Sequence, residues 1–177
     1  MSDIAIMTDS NCGIMPGCEP CPDIHIIPMP VLIDGETFYE GKSITADSFY
    51  RQLASDAAVS TSLPSPGDVM DMWTSLLRDY REVVYIPMSS GLSGACQTAM
   101  MLAEDYGGKV HVVDNHRISV TQRPSVLDAI ELARAGKDGA AIKRRPEETQ
   151  QDSGIYVTVD TPKYLKKGGR IRSTDAA

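Results

Sequence analysis

Residues 83–94, Val-Val-Tyr-Ile-Pro-Met-Ser-Ser-Gly-Leu-Ser-Gly, decide how this chain can fold. The first half of the stretch is apolar and rich in β-branched residues, a pattern that predicts a buried strand. Three serines and two glycines follow, and we call residues 89–94 the serine turn. After it, apolar residues recur at the spacing of one helix face, at Ala95, Ala99, Leu102, Ala103 and Tyr106. The stretch therefore predicts a strand, a turn and a helix in succession.

The serine turn has two interpretations. The first N–H groups of a helix have no partner within the helix, and the helix dipole favours negative charge there, so the turn can bind an anion. Alternatively, Ser93 only caps the helix and the glycines only turn the chain. A second hydroxyl-rich segment, residues 61–65, also precedes a predicted helix, and we call it the threonine turn. Consecutive α/β units place helix starts on one rim of a sheet, so the two turns together favour an anion site.

Strands and helices alternate along the whole chain. Besides the strand before the serine turn, strand patterns cover residues 4–7, 24–33, 110–113 and 155–159. Helix patterns begin at Thr45, Ser65 and Ser93 and cover residues 125–135 and 162–167. This alternation predicts an α/β fold with a mainly parallel sheet and helices on both faces. We place an N-terminal α/β domain at residues 1–113 and an incomplete second α/β domain at residues 114–177.

Composition and charge narrow the class of protein. The formal net charge of −7 argues against a nucleic-acid-binding surface. The charge is unevenly distributed: the formal net charge is −11 for residues 1–133 and +4 for residues 134–177. An anionic partner would therefore bind more readily to residues 134–177. Early acidic residues and the lack of an apolar run near Met1 indicate no secretory signal, so we expect a cytoplasmic protein. The longest apolar stretch, eight residues with two prolines, is too short to cross a bilayer.

Two parts of the sequence have residue types found in metal sites and in serine hydrolases. Cys12, Cys18, Cys21 and His25 have the ligand types of a zinc site, but they fall within fourteen residues instead of two separated half-sites. We therefore expect no metal and no cofactor. In the serine turn, the Gly-x-Ser-x-Gly elbow of hydrolases fails because Ala95 stands at its last position. A serine-dependent or phosphate-handling enzyme that uses this turn is kept as the alternative function.

Six segments, taken together, resemble the DegV family of bacterial fatty-acid-binding proteins. They occur in the family's order and spacing over nearly the whole chain. In this sequence they are Met-Thr-Asp-Ser at 7–10, Asp34-Gly35 through Ile44-Thr45, Thr-Ser-Leu-Pro-Ser-Pro-Gly at 61–67, the serine turn, Val-Val-Asp at 112–114, and Val-Asp-Thr at 159–161 leading to Leu-Lys-Lys-Gly-Gly-Arg at 165–170.

The resemblance implies a two-domain protein that binds a long-chain fatty acid in an apolar tunnel and performs no catalysis itself. The carboxylate would lie at the domain junction and be bound by Thr61, Ser62, Ser89, Ser93 and Gly94, with Arg170 close to it. A separate fatty acid kinase would then phosphorylate the presented carboxylate.

Three features depart from the family pattern. Ser-Val-Thr-Gln-Arg-Pro at 119–124 stands where the family has a small, glycine-containing stretch, and Leu63 stands where a polar residue is more frequent. Family chains also continue well beyond residue 177. That later part would supply most of the second domain, much of the tunnel wall and a histidine that the family places near the carboxylate.

Overall fold

A computed structural model describes residues 3–171 except 15, 16, 18, 21, 56, 157, 160, 168 and 170. The strands are β1 (Ile4–Asp9), β2 (Ile24–Ile27), β3 (Pro30–Ile33), β4 (Glu36–Tyr39), β5 (Val59–Thr61), β6 (Glu82–Ile86) and β7 (Val110–Val112). The α-helices are α1 (Ala46–Ala54), α2 (Pro66–Leu76), α3 (Ala95–Ala103), α4 (Gln122–Arg134), α5 (Gly139–Glu148) and α6 (Lys163–Lys167). Among the described residues, no helix is both long and apolar enough to cross a membrane.

The main sheet has four parallel strands in the order β2-β1-β6-β7. Successive side chains of a strand point to opposite faces, so each strand contributes to two cores. On one face, Ile4, Ile6, Val84 and Ile86 pack with residues of α4 and α5. On the other, Ala5, Met7, Val83 and Tyr85 pack with α2 and α3. The predicted α/β fold, a parallel sheet with helices on both faces, is confirmed.

A second sheet, antiparallel and of three strands in the order β4-β3-β5, is attached to the first through the segment after β2. The sequence pattern over residues 24–33 suggested one interrupted strand, but the structure assigns its two halves to different sheets. Pro28 stands at the break, and since proline has no N–H to donate, it ends the ladder of the main sheet. The β3–β4 turn is formed by Asp34 and Gly35, both at positive φ, as a tight hairpin requires.

The predicted strand at residues 155–159 is wrong for its described members. Residues 155, 156, 158 and 159 form no strand, and Tyr156 is fully exposed. The pattern there alternates as a strand would, but a strand needs a hydrogen-bonded neighbour, and the described strands provide none for this segment.

Helices after residue 113 belong to the core of the main sheet. Val126 and Ile130 of α4 and Ile142 of α5 share one hydrophobic cluster with Ile6 and Ile86. The boundary at residue 113 stays a prediction, and this packing favours a first unit that extends through α5. The incomplete second domain also stays a prediction. After α5, the described residues contain the 3-10 helix Gln150–Asp152 and α6.

Candidate functional site

A cavity of about 920 Å³ lies at the carboxyl end of the main sheet. Three of its lining residues stand two positions beyond the ends of neighbouring strands: Asn11 after β1, Met29 after β2 and Met88 after β6. Parallel strands bring their carboxyl ends to the same edge, and α/β folds bind ligands at that edge. The cavity therefore lies at the edge of the sheet where this topology predicts a ligand site.

The lining of this carboxyl-end cavity is apolar with a few uncharged polar groups. None of its described lining residues carries a charge. The polar residues and glycines are Asn11, Thr61, Ser62, Gly91, Ser93, Gly94 and Gly169, and the apolar ones are Met29, Leu63, Met88, Leu92, Ile118, Ile155, Leu165 and Ile171. An apolar cavity with a small number of polar groups is the usual design of a small-molecule site.

The serine turn forms one wall of the cavity. The Oγ of Ser93 accepts a hydrogen bond from the N–H of Ala95 at 3.1 Å. The backbone N–H of Ser93 donates to the carbonyl of Ser89 at 3.2 Å. Helix α3 begins at Ala95, and Gly94 at its N-cap position makes no side-chain hydrogen bond. The side chain of Ser93 thus accepts a hydrogen bond from the first N–H of the helix, as the capping interpretation expects, although the N-cap position itself is Gly94. Since Gly94 has no side chain, the side-chain hydrogen bond at the start of α3 comes from Ser93.

Ser89 has a different position from Ser93. It is buried, and its Oγ accepts a hydrogen bond from the N–H of Gly91 at 3.2 Å. Its N–H donates to the carbonyl of Arg117 at 2.9 Å. These contacts hold the shape of the serine turn, and Ser89 does not line the cavity. Its predicted contact with a ligand stays a prediction.

Thr61 and Ser62 reach the cavity from the antiparallel sheet. Thr61 is the last residue of β5 and pairs with Val31 of β3. The N–H of Ser62 donates to the carbonyl of Pro30 at 3.3 Å, and its Oγ donates to the carbonyl of Leu63 at 3.2 Å. The two sheets thus contribute the two predicted hydroxyl turns to one cavity. Arg170 lies outside the described residues, although its neighbours Gly169 and Ile171 line the cavity.

Beneath the cavity, a buried polar network joins the ends of β1 and β6. The carboxylate of Asp9 accepts hydrogen bonds from the N–H of Met88 at 2.7 Å and from Gln122 Nε2 at 3.2 Å. Gln122 Nε2 also donates to Thr8 Oγ1 and to the carbonyl of Ile86, both at 3.1 Å. Burial raises the pKa of Asp9 above its ordinary value, although the hydrogen bonds from Met88 and Gln122 oppose that shift. The network fixes where the serine turn leaves the sheet.

Sequence reasoning missed several of these residues. Asn11, Met29, Met88 and Ile118 were not candidates, yet they line the cavity. The first three lie two residues beyond the observed ends of β1, β2 and β6, but the predicted strands end at other residues, so the sequence patterns did not single them out. Gln122 belongs to the stretch 119–124, which departs from the family pattern, and no feature of the sequence indicates its role in the network.

The enzyme alternative requires a base beside Ser93. Among the described residues, the three histidines have their contacts elsewhere, and none is hydrogen-bonded to Ser93. Their neighbours are Tyr80 for His25, Glu82 for His111 and Asp114 for His116. Burial also raises the pKa of the Cys96 thiol to about 12, so this side chain stays protonated at neutral pH and packs as an apolar group.

The described part of the chain contains no cluster of three or more potential metal ligands. Cys12 is buried, and its sulfur accepts a hydrogen bond from the N–H of Ile14 at 3.4 Å. Cys18 and Cys21 lie outside the described residues, so the expected absence of zinc stays a prediction.

The same fold occurs in solved structures. A structure described as fatty acid binding of a DegV family protein from Thermus thermophilus superposes with a TM-score of 0.87 at 29% identity, covering 99% of this chain and 63% of that one. DegV, a fatty acid binding protein from Bacillus subtilis, superposes with a TM-score of 0.81 at 27% identity, covering 96% of this chain and 61% of that one.

Proteins with similar sequences are described by the same family name as the similar solved structures. A DegV domain-containing protein of Deinococcus radiodurans is 32% identical over 174 residues, which are 98% of this chain and 62% of the relative. Another from Staphylococcus aureus is 32% identical over 178 residues, with the same coverage. This chain thus spans about 62% of the length of these curated relatives. The model of the family described as uncharacterised protein, DegV family, matches residues 3–177, and the chain belongs to the DegV family.

Proposed function

We propose that this protein binds a long-chain fatty acid in the carboxyl-end cavity, without catalysing a reaction on it. The observation that carries the proposal is the cavity itself, which combines an apolar lining with neutral hydrogen-bond donors in about 920 Å³. Small-molecule sites typically have volumes of about 300–1,000 Å³, so the volume of this cavity lies within the range of small-molecule sites. The solved relatives described as fatty-acid-binding proteins support the same ligand class.

The apolar side chains of the cavity suit an acyl chain. Methionines 29 and 88 are buried, and Leu63, Leu92 and Ile155 are partly exposed at the cavity. Exposed apolar side chains that border a cavity gain from covering by an apolar ligand. Each methylene of the ligand that leaves water contributes about 0.8 kcal/mol, so the acyl chain would supply most of the affinity.

The head group would be bound by the two turns. In this proposal Thr61, Ser62, Ser93 and Gly94 bind the carboxylate from the cavity wall, and Arg170 completes the set. Ser89 belongs to the same proposed site as the residue that holds the shape of the serine turn, since it does not line the cavity. A carboxylate accepts hydrogen bonds from hydroxyl groups and from N–H groups at a helix start, and the helix dipole adds to the attraction. The positions of Ser93 and Gly94, which line the cavity directly before the first residue of α3, support this assignment.

Presentation to a fatty acid kinase is the further part of the proposal. The kinase would transfer a phosphoryl group from a nucleoside triphosphate to the carboxylate oxygen, giving an acyl phosphate and a nucleoside diphosphate. The carrier needs no cofactor for this role. A cytoplasmic location belongs to the same proposal, because the kinase would draw on the cytoplasmic nucleotide pool.

Native mass spectrometry of the protein purified from bacteria tests the binding proposal. The expected result is a population heavier by the mass of a long-chain fatty acid, identified after extraction with organic solvent. Absence of retained lipid, together with no binding of added fatty acid in a fluorescence titration, would overturn the proposal. Presentation is tested separately, by adding a fatty acid kinase and ATP and measuring whether acyl phosphate forms faster with the loaded protein than with free fatty acid.

A further inference from the structure

The two hydroxyl turns stand on different sheets. Thr61 ends β5 of the antiparallel sheet, whereas Ser93 follows β6 of the main sheet. Among the described residues, neither of the two hydrophobic clusters on the main sheet includes a residue of β3, β4 or β5. The packing that holds the helices on the main sheet therefore leaves the placement of the threonine turn to other contacts.

Ser10 makes a polar contact between the two sheets, and we call it the Ser10–Glu40 link. Ser10 directly follows β1 and is buried. Its hydroxyl donates a hydrogen bond to Oε2 of Glu40, the residue after β4. The same hydroxyl accepts a hydrogen bond at 3.1 Å from the N–H of Met29, the residue before β3. One hydroxyl of the main-sheet unit thus binds both strands of the β3–β4 hairpin at their open end.

The contacts of the link continue to the threonine turn. Met29 itself lines the carboxyl-end cavity, and its carbonyl accepts a hydrogen bond from the N–H of Glu40 at 3.3 Å. The next residue, Pro30, accepts at its carbonyl the N–H of Ser62 at 3.3 Å. A hydrogen bond from a hydroxyl to a carboxylate is stronger than one between neutral groups, and burial of Ser10 limits competition by water. The link therefore lies two residues from a backbone contact of the threonine turn.

We propose that Ser10 and Glu40 are positioning residues of the fatty-acid site, and that their hydrogen bond places the antiparallel sheet so that Thr61 binds the same carboxylate as Ser93. This inference rests on the proposed function and adds two residues that do not line the cavity. Binding groups must be held within about 0.5 Å of the productive geometry. A shift of the antiparallel sheet would withdraw the threonine turn from the head group and leave the serine turn in place.

A titration with hexadecanoic acid measures the contribution of the link to binding. Ser10→Ala removes both hydrogen bonds of the hydroxyl, and Glu40→Ala removes the carboxylate. Each should lower the affinity about tenfold, because the threonine turn is then no longer held against the head group. Glu40→Gln keeps a side-chain oxygen that can accept from Ser10, so its affinity should lie within about threefold of the wild type.

Two further variants are the matched controls for this titration. Ser43 Oγ accepts a hydrogen bond from the N–H of Tyr39 at 2.8 Å, a contact that does not reach the main sheet. Ser43→Ala therefore removes a serine acceptor of the same kind as Ser10. Glu36 is exposed on β4, so Glu36→Ala removes an acidic side chain from the same strand. Both should change the affinity less than about twofold.

Combined variants separate a positioning role from general damage to the fold. If Glu40 acts through the threonine turn, Glu40→Ala should lower the affinity less than about twofold when Thr61→Val and Ser62→Ala are already present. The same substitution should keep its effect of about tenfold when only Ser93→Ala is present, because the threonine turn is then intact. Equal tenfold losses in the two backgrounds would overturn the positioning role.

Amide hydrogen exchange without ligand tests the link independently of fatty-acid binding. Residues 29–40 and 59–62 should exchange faster in Ser10→Ala and Glu40→Ala than in the wild type, while β1 and β6 keep their exchange rates. Unchanged exchange of the antiparallel sheet in both variants would overturn the inference, and so would unchanged affinity in both. If the wild type binds no hexadecanoic acid, the proposed function fails, and hydrogen exchange then decides by itself whether the link positions the sheet. Glu40→Ala decides the question if Ser10→Ala does not fold.

Discussion

At the amino end of the main sheet, a cavity of about 610 Å³ is lined mostly by charged residues, whereas the described lining of the carboxyl-end cavity has none. The charged residues at the amino end are Asp3, Asp23, Arg81, Arg134 and Lys137. Some of them pair with neighbours, as Arg81 does with Glu82 at 3.1 Å and Arg134 with Glu131 at 2.9 Å. Both cavities are lined in part by residues at the ends of β1, β2 and β6.

The difference shows which end can take an amphiphilic ligand. Covering the amino-end cavity with an acyl chain would remove charged groups from water, at a large cost in free energy. Covering the carboxyl-end cavity removes mainly apolar surface from water, which is favourable. Its neutral donors can still bind a head group. This contrast in charge supports the proposal that the fatty acid binds at the carboxyl end of the sheet.

The largest expected effect comes from removing a head-group donor at the carboxyl end. Thr61→Val and Ser93→Ala should each weaken fatty-acid binding about ten- to a hundredfold, because hydrogen bonds to charged groups contribute about 1.5–3 kcal/mol. A titration with a fluorescent fatty acid measures the change, with circular dichroism as the check on folding. Arg134→Ala and Lys137→Ala at the amino end are the matched controls and should alter affinity less than about twofold, as exposed charges remote from the ligand do. Equal losses of fatty-acid affinity in the variants at both ends of the sheet would contradict the proposal that the ligand binds at the carboxyl end.

A smaller effect, on stability alone, is expected from Gly139→Ala at the amino end. Gly139 N–H and His111 Nε2 each lie 2.9 Å from Glu82 Oε2, and a Cβ on Gly139 would collide with both side chains. Such overpacking should lower the free energy of unfolding by about 1–3 kcal/mol. The measurement is denaturant unfolding, and fatty-acid affinity should stay within a factor of about two of the wild type.

Gly154→Ala is the control for that substitution, since a Cβ there meets no atom within 4 Å. It should leave stability nearly unchanged. Loss of affinity in Gly139→Ala without loss in the control would mean that the two ends of the sheet are coupled.

The smallest expected effect concerns the pH dependence of stability through Asp9. Burial raises the pKa of this carboxyl above 3.8 in the folded protein, so the folded state binds the proton more tightly than the unfolded state. The stabilising contribution of protonated Asp9 is complete below the unfolded pKa and is lost as pH rises through the folded pKa. The stability of the wild type relative to Asp9→Asn should therefore fall with rising pH above about 4.

Urea unfolding of both proteins at several pH values measures this difference. Asp128→Asn on the exposed side of α4 serves as the control for removing an acidic residue. A relative stability that rises with pH would contradict the direction of the shift at Asp9.

How much of the structure was predictable differs between elements. Local patterns predicted the strand and turn at residues 83–94. They also predicted the helix that Ser65 caps, with Pro66 at its first position. These predictions agree with the structure because the tertiary packing supports the same local conformations that the patterns favour. Residues 155–159 have an equally regular pattern, but no described strand pairs with them. Pro28 and Pro30 signalled an interruption between residues 24 and 33, but only the assembled sheets show that the chain passes there from one sheet to the other.

The sequence by itself determined the α/β class, the two hydroxyl turns that each precede a helix and the family to which the chain belongs. These depend on the period of apolar residues, on turn chemistry and on ordered motifs, which are all local along the chain. Only the tertiary structure decided that Asn11, Met29 and Met88 meet at one cavity. It also decided that Gln122 joins β1 to β6, although Gln122 stands 114 residues from Thr8 and 36 from Ile86. Those contacts depend on strand order and register, which are set by the packing of the whole sheet.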